Sequence, residues 1–146
     1  MSFKDITPHQ AHDLLKADTT AIYIDVRTPR EFDNGHPAGA VNIPVAFPDP
    51  ARGMVLNPDF VSVVAKNFPK DKKLVLGCQA GGRSARAAGL LAEAGYQDLS
   101  NMLGGFGGMR DQTGRLIAAG WEESGLPVSK DNGEGVSYAS LSAKDR

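Results

Sequence analysis

Lys73-Leu74-Val75-Leu76-Gly77-Cys78-Gln79-Ala80-Gly81-Gly82-Arg83-Ser84 decides the reading of this chain. Leu74, Val75 and Leu76 form a short continuous apolar run stopped by glycine, which predicts a buried strand over 73–77. Ala85 to Glu93 reads as a helix, with Gly95 at the position favoured just past a helix end. Cys78 therefore stands where a strand runs into the N-terminus of a helix. In a parallel sheet this is where ligands collect. The first N–H groups of the helix lack intrahelical partners, and the helix dipole favours negative charge. Gly81 and Gly82 let the backbone curl so that N–H groups converge as an anion nest. Arg83 adds a planar cationic fork suited to an oxyanion. Together these features favour the thiolate, the nucleophilic form of a cysteine. An isolated cysteine is often only a small buried hydrophobe; its place in a glycine-rich turn with an arginine at the end points to a reactive one.

The length of the loop separates two chemistries. Cys78 through Arg83 gives Cys-x4-Arg, whereas cysteine phosphatases use a loop one residue longer to wrap the oxygens of a phosphate. A tighter ring of N–H groups suits a smaller species, such as a sulfur atom bonded to the cysteine.

Working outward, Thr7-Pro8-His9-Gln10 is a capping box that opens a helix ending near Asp18. Ala21 to Val26 reads as a second buried strand, and Thr28-Pro29-Arg30-Glu31 as a second capping box before Asn34-Gly35. Ala40 to Ile43 is a short strand stopped by Pro44. From Pro44 to Pro58 the density of proline and glycine predicts loop. Asn57-Pro58 opens a helix through about Ala65, with Phe60, Val61, Val64 and Phe68 on its apolar side. Asp98 to Leu103 is the last expected strand. Alternating strands and helices imply an α/β domain with a mainly parallel sheet. Residues 1–128 form the expected domain, and the polar stretch 129–146 reads as a mobile tail.

With 146 residues, 41% apolar and 23% charged, the composition is that of an ordinary soluble domain. Sixteen basic and seventeen acidic residues nearly cancel, which argues against nucleic acid or membrane partners. A single cysteine excludes an intrachain disulfide framework and a thiolate-rich zinc site. The first residues have no apolar segment of signal-peptide type, so a cytoplasmic location is expected. His9 and His12 lie three apart with no third ligand pattern and read as a surface pair. His36 reads as a packing or hydrogen-bonding residue, and Trp121 as the anchor of a C-terminal helix. No metal or cofactor is expected.

The chain resembles the single-domain rhodanese (thiosulfate sulfurtransferase) family. The matching residues are Ile24-Asp25-Val26-Arg27, Glu31-Phe32, Gly35-His36, Gly39-Ala40, Asn42-Ile43-Pro44, the Cys78–Ser84 loop, Gly95-Tyr96, Gly104-Gly105, and Trp121 with Gly125-Leu126-Pro127-Val128. The resemblance implies a rhodanese-like fold: a central parallel five-stranded sheet with helices on both faces. It implies that Cys78 accepts sulfur, and that Gln79, Ala80, Gly81, Gly82 and Arg83, together with Ser84, form the substrate-binding loop. Asp25 and Arg27 match a supporting acid–base pair beside the site. The implied activity moves sulfane sulfur from a thiosulfate-like donor, through a Cys78 persulfide, to cyanide, a small thiol or a protein thiol. Pro37 departs from the aliphatic residue many members carry, and 107–115 extends the link to the last helix. Two other readings stay open: thiolate-based arsenate reduction, and a non-catalytic binding or sensing module.

Overall fold

The 73–77 run lies at the centre of a five-stranded sheet in this computed structural model, which describes residues 3–143. In chain order the elements are β1 (Lys4–Ile6), α1 (Pro8–Ala17), β2 (Ile22–Asp25), α2 (Pro29–Asp33), β3 (His36–Pro37), β4 (Val41–Asn42), β5 (Ala46–Asp49) and β6 (Gly53–Leu56). There follow α3 (Phe60–Asn67), β7 (Lys73–Gly77), α4 (Gly82–Glu93), β8 (Asp98–Met102), β9 (Met109–Arg110), β10 (Leu116–Ala118), β11 (Val128–Ser129) and α5 (Tyr138–Ser142). The sheet order is β1-β8-β7-β2-β4, with every neighbouring pair parallel.

From β2 the chain crosses outward to β4, and from β7 it crosses the other way to β8. The crevice between these departures opens at the carboxyl ends of β2 and β7, where Asp25 pairs in register with Gly77. Cys78 and Arg27 follow directly from these two strand ends.

Alternation along the strands divides the core between the two faces of the sheet. Ile24, Leu74 and Leu76 pack with Phe60, Val64, Ala88, Leu91 and Leu141, from α3, α4 and α5. Tyr23 and Val75 point the other way, into a cluster with Ala11, Phe32, Met102, Phe106 and Trp121. Both expected capping boxes form: Thr7 with Gln10, and Thr28 with Glu31. The parallel five-stranded sheet with helices on both faces is present as the resemblance implied.

Gly77 is fixed by packing, because a Cβ there would fall on the buried Tyr23 hydroxyl. Gly77→Ala is therefore expected to destabilise the fold by about 1–3 kcal/mol. Urea unfolding reads this directly; a loss below about 0.5 kcal/mol would contradict such close packing.

Five features differ from the sequence reading. The fifth strand is β1, three residues long and mostly exposed, with no apolar run to announce it. The stretch read as loop between Pro44 and Pro58 holds the antiparallel hairpin β5–β6, which tolerates Pro48 because it is a free-standing two-stranded ribbon. Segment 107–115 belongs to a second hairpin, β9–β10. The helix expected around Trp121 is not formed: 121–125 is a run of turns between Gly120 and Pro127, closed by bonds such as Ser124 N to the Gly120 carbonyl, 3.1 Å. Trp121 still anchors the segment, buried, with its indole N–H donating to the Pro127 carbonyl at 2.7 Å.

The described part of the polar stretch after 128 carries structure. β11 pairs with β3, the Val136 carbonyl accepts the Asn42 N–H at 2.9 Å, and α5 is capped by Ser137. Leu141 is buried against the core, and Asn67 donates to its carbonyl at 3.1 Å. This segment covers the outer edge of β4, which would otherwise present open strand groups.

Candidate active site

Cys78 is 2% exposed, at the floor of the turn between β7 and α4. Gly81, with φ of +122°, occupies a backbone region open to glycine and turns its N–H onto Cys78 Sγ at 3.0 Å. The turn is held from outside. Phe106 N donates to the Cys78 carbonyl at 2.7 Å, and Gly107 N to the Gln79 carbonyl at 3.0 Å. The Ser84 hydroxyl stands 3.5 Å from Sγ and 2.6 Å from Asn101 Oδ1. Asn101 in turn donates to Asp5 at 3.1 Å, so β8 and β1 both brace the first turn of α4.

Asp25 and Arg27 form a buried pair beside this loop. Arg27 Nη2 donates to Asp25 Oδ2 at 2.7 Å, Arg27 Nε to Oδ1 at 3.0 Å, and the Arg27 backbone N–H also to Oδ1 at 3.0 Å. The remaining guanidinium donors reach the Gly35 carbonyl at 2.7 Å and Gln79 Oε1 at 3.1 Å. The guanidinium also lies 4.6 Å from the Phe106 ring centre, a cation–π contact. Asn42 donates to the carbonyls of both Asp25 and Arg27, fixing the turn after β2. The pair thus touches the thiol loop through Gln79.

Arg83 forms a bidentate pair with Glu31, at 2.8 and 3.0 Å. Glu31 also closes its capping box by accepting the Thr28 N–H at 3.0 Å. Partial burial pushes the Glu31 carboxyl up, but the Arg83 hydrogen bond and the Thr28 N–H override it and hold the carboxyl at about 2. The Arg83 guanidinium is held above its ordinary value, first by the bond to Glu31.

Because the Glu31 carboxyl falls from 4.5 to about 2 on folding, its contribution to stability is complete above about pH 4.5 and is lost as pH falls towards 2. Solvent screening of this partly exposed pair limits the effect to about 1 kcal/mol. Wild type should therefore lose roughly 0.6 kcal/mol more than Glu31→Gln between pH 6 and pH 3 by urea unfolding, since a carboxyl held at about 2 is still mostly ionised at pH 3. Equal losses would contradict the pairing.

Clefts flank the loop, among them a hollow of about 200 Å³ beside Gly82, Arg83 and Arg86 and two others. One, of about 260 Å³, is lined by Arg27, Glu31, Asn34, Gly35, Gln79, Phe106 and Glu122. The other, of about 410 Å³, is lined by Thr28, Glu31, Pro48, Met54 and Arg83. Residues 7–112 match the family model described as the rhodanese-like domain. The chain belongs to the rhodanese-like family.

Among relatives of this rhodanese-like chain is Thiosulfate sulfurtransferase 16, chloroplastic, of Arabidopsis thaliana, 39% identical over 118 residues, which are 81% of this chain and 86% of the relative. Thiosulfate sulfurtransferase GlpE of Haemophilus influenzae is 32% identical over 108 residues, covering 74% of this chain and 89% of the relative. Protein HIGH ARSENIC CONTENT 1, mitochondrial, of Arabidopsis thaliana is 46% identical over 84 residues, which are 58% of this chain and 49% of that protein. The chain thus spans about half the length of that relative, and of some others it matches. The crystal structure of Rv0390 from M. tuberculosis superposes with a TM-score of 0.74 at 31% identity, covering 89% of this chain and all of that one.

The structure brings Cys78, Gln79, Ala80, Gly81, Gly82, Arg83 and Ser84 together as one turn, with Arg27 and Asp25 against it. His36 is buried, stacked on Phe32, with Nδ1 2.8 Å from the Phe32 carbonyl oxygen. His9 is exposed, while the His12 ring meets Trp121 edge-on at 5.6 Å. Among the described residues no group of three or more His, Cys, Asp or Glu side chains is placed to hold a metal ion. Sequence reasoning missed Asn101 and Asp5 behind Ser84, and Glu31 as the partner of Arg83. Two adjacent polar residues, Ser100-Asn101, between Leu99 and Met102 were a signal for the first.

Proposed function

We propose that this rhodanese-like chain is a sulfurtransferase that carries sulfane sulfur on Cys78. The observation that carries the reading is the Cys78 sulfur, enclosed at the sheet's switch point with the Gly81 N–H 3.0 Å from it. The family assignment and the thiosulfate sulfurtransferases among the relatives support it. In the first step the thiolate attacks the outer sulfur of a donor such as thiosulfate. A Cys78–S–S⁻ persulfide forms, the donor's S–S bond breaks, and sulfite leaves with the bonding pair. The total charge is unchanged. In the second step cyanide, or a small or protein thiolate, takes the outer sulfur and releases the Cys78 thiolate. Cys78 is the only cysteine, so no thiol within the chain can resolve the persulfide and a separate acceptor must do so.

A covalent intermediate of this kind gives ping-pong kinetics. Double-reciprocal plots of thiosulfate against cyanide should be parallel, and lines that intersect clearly would sink the double displacement. A second reading, thiolate-based arsenate reduction, draws on the relative named HIGH ARSENIC CONTENT 1. Glutathione-dependent arsenate turnover measured beside sulfur transfer separates them. Arsenate turnover exceeding sulfur transfer would favour the second.

A further inference from the structure

The two faces of the hairpin β5–β6 differ. Ala46 is paired with Leu56 and Pro48 with Met54, so strand alternation places these four side chains on one face. On the other face Phe47 packs on Tyr138 of α5, the ring centres 6.0 Å apart. The tip is fixed as well, because Asp49 Oδ1 accepts the backbone N–H groups of Ala51 and Arg52 at 2.8 and 3.0 Å. The first face is apolar yet open to solvent, Met54 being 46% and Leu56 41% exposed.

That face meets α4 in the hollow of about 200 Å³, where Met54 and Leu56 lie with Gly82, Arg83 and Arg86 and no carboxylate joins the lining. Met54 and Arg83 also wall the neighbouring cleft, so the surface continues past Pro48 to Thr28 and Glu31. Glu31 engages Arg83, whereas Arg86 is exposed and has no ion-pair or hydrogen-bond partner among the described residues. A preformed apolar face beside an unpaired guanidinium favours a partner that is apolar and acidic together. Gly82 and Arg83 set this surface against the thiol loop, and a persulfide on Cys78 needs an acceptor from outside the chain. We infer that the hairpin face and Arg86 form the docking surface for a protein sulfur acceptor. Its thiol sits on a segment with apolar side chains for Met54 and Leu56 and a carboxylate for Arg86. This rests on the sulfur-transfer reading above. The acceptor thiolate attacks the outer sulfur of Cys78–S–S⁻, the sulfur–sulfur bond breaks, and the Cys78 thiolate leaves with the electron pair. The acceptor then carries the persulfide, and two negative charges stand on each side.

Fluorescent peptides Asp-Glu-Leu-Ser-Leu and Lys-Lys-Leu-Ser-Leu test docking without a thiol, by anisotropy. Wild type should bind the acidic peptide about fivefold more tightly, and the preference should fall to about twofold or less in Arg86→Gln. Met54→Gln should weaken the acidic peptide about threefold. Equal binding of the two peptides, or a preference unchanged in Arg86→Gln, overturns the inference. The same peptides with cysteine in place of serine then serve as acceptors from thiosulfate-loaded protein, their rates scaled to each thiol's rate with a common small disulfide. The acidic one should take sulfur faster by a similar factor. Selective binding in a protein that forms no persulfide would sink only the sulfur-transfer reading. Transfer to both peptides at equal scaled rates would sink only the docking surface. A dimer that Met54→Gln dissociates, seen by sedimentation, would assign the face to a second copy and overturn the inference. Should the variants fail to fold, wild type carries the test: salt should weaken the acidic peptide and not the basic one, and an identical salt dependence overturns the inference.

Discussion

Cys78→Ser is expected to lower sulfur transfer from thiosulfate to cyanide by at least about 10³-fold while the protein stays folded. Serine is close to cysteine in size and keeps an acceptor for the Gly81 N–H, which donates to Sγ at 3.0 Å. The buried turn, tied to Phe106 and Gly107 by backbone bonds, should therefore hold its shape. What serine lacks is an accessible anion: a hydroxyl ionises far above neutral pH, and its oxygen cannot carry a sulfur as a persulfide. Thiocyanate formation measures the loss, and a urea unfolding midpoint within about 1 kcal/mol of wild type shows that the fold survives. A folded variant retaining more than a few per cent of the rate would contradict the role of Cys78.

Asp25→Ala is expected to destabilise the protein by about 3–5 kcal/mol, the usual cost of breaking one side of a buried ion pair. Asp25 is 1% exposed and receives three donors from Arg27 alone: the backbone N–H, Nε and Nη2. Without it, a guanidinium 3% exposed keeps only the Gly35 carbonyl, Gln79 and the face of Phe106. Removing both charges should cost less than removing one. Asp25→Ala combined with Arg27→Met is therefore expected to recover part of the stability by urea unfolding. Turnover per folded molecule should fall much less than stability, because the side-chain hydrogen bond from the pair to the loop goes to Gln79 rather than to Cys78. A double variant no more stable than Asp25→Ala would contradict this electrostatic account.

The sequence made some parts of this architecture legible because their physics is local. The apolar run at 74–76, the two capping boxes at Thr7 and Thr28, and the glycines after Cys78 each declare their conformation within a few residues. The site was found because strand, turn and helix are contiguous there. Features set by distant partners were not legible. β1 is a strand only because β8 pairs with it, Lys4 opposite Ser100. Leu141 is buried by the α3 side of the sheet, more than 70 residues earlier in the chain, as the 3.1 Å bond from Asn67 reflects. Proline-rich 44–58 obscured a hairpin because proline's missing donor excludes it from central strands but not from a two-stranded ribbon.

The orientation of Arg83 is the most consequential of these. Its position after Gly81-Gly82 suggested a cation free to meet an anion at the thiol. Glu31 is visible in sequence as the third helical residue of a capping box, which accounts for one of its oxygens. Only the fold shows that both oxygens also face Arg83, 52 residues away. That long-range pair ties α2 to the first turn of α4 beside the thiol loop.

The most direct measurement of the central claim is intact mass after incubation with thiosulfate and then after a cyanide wash, on wild type and Cys78→Ser. Wild type should gain one sulfur atom, about 32 Da, and lose it to cyanide, while Cys78→Ser gains nothing. No adduct on wild type, with Cys78 still readily alkylated, would contradict a persulfide route.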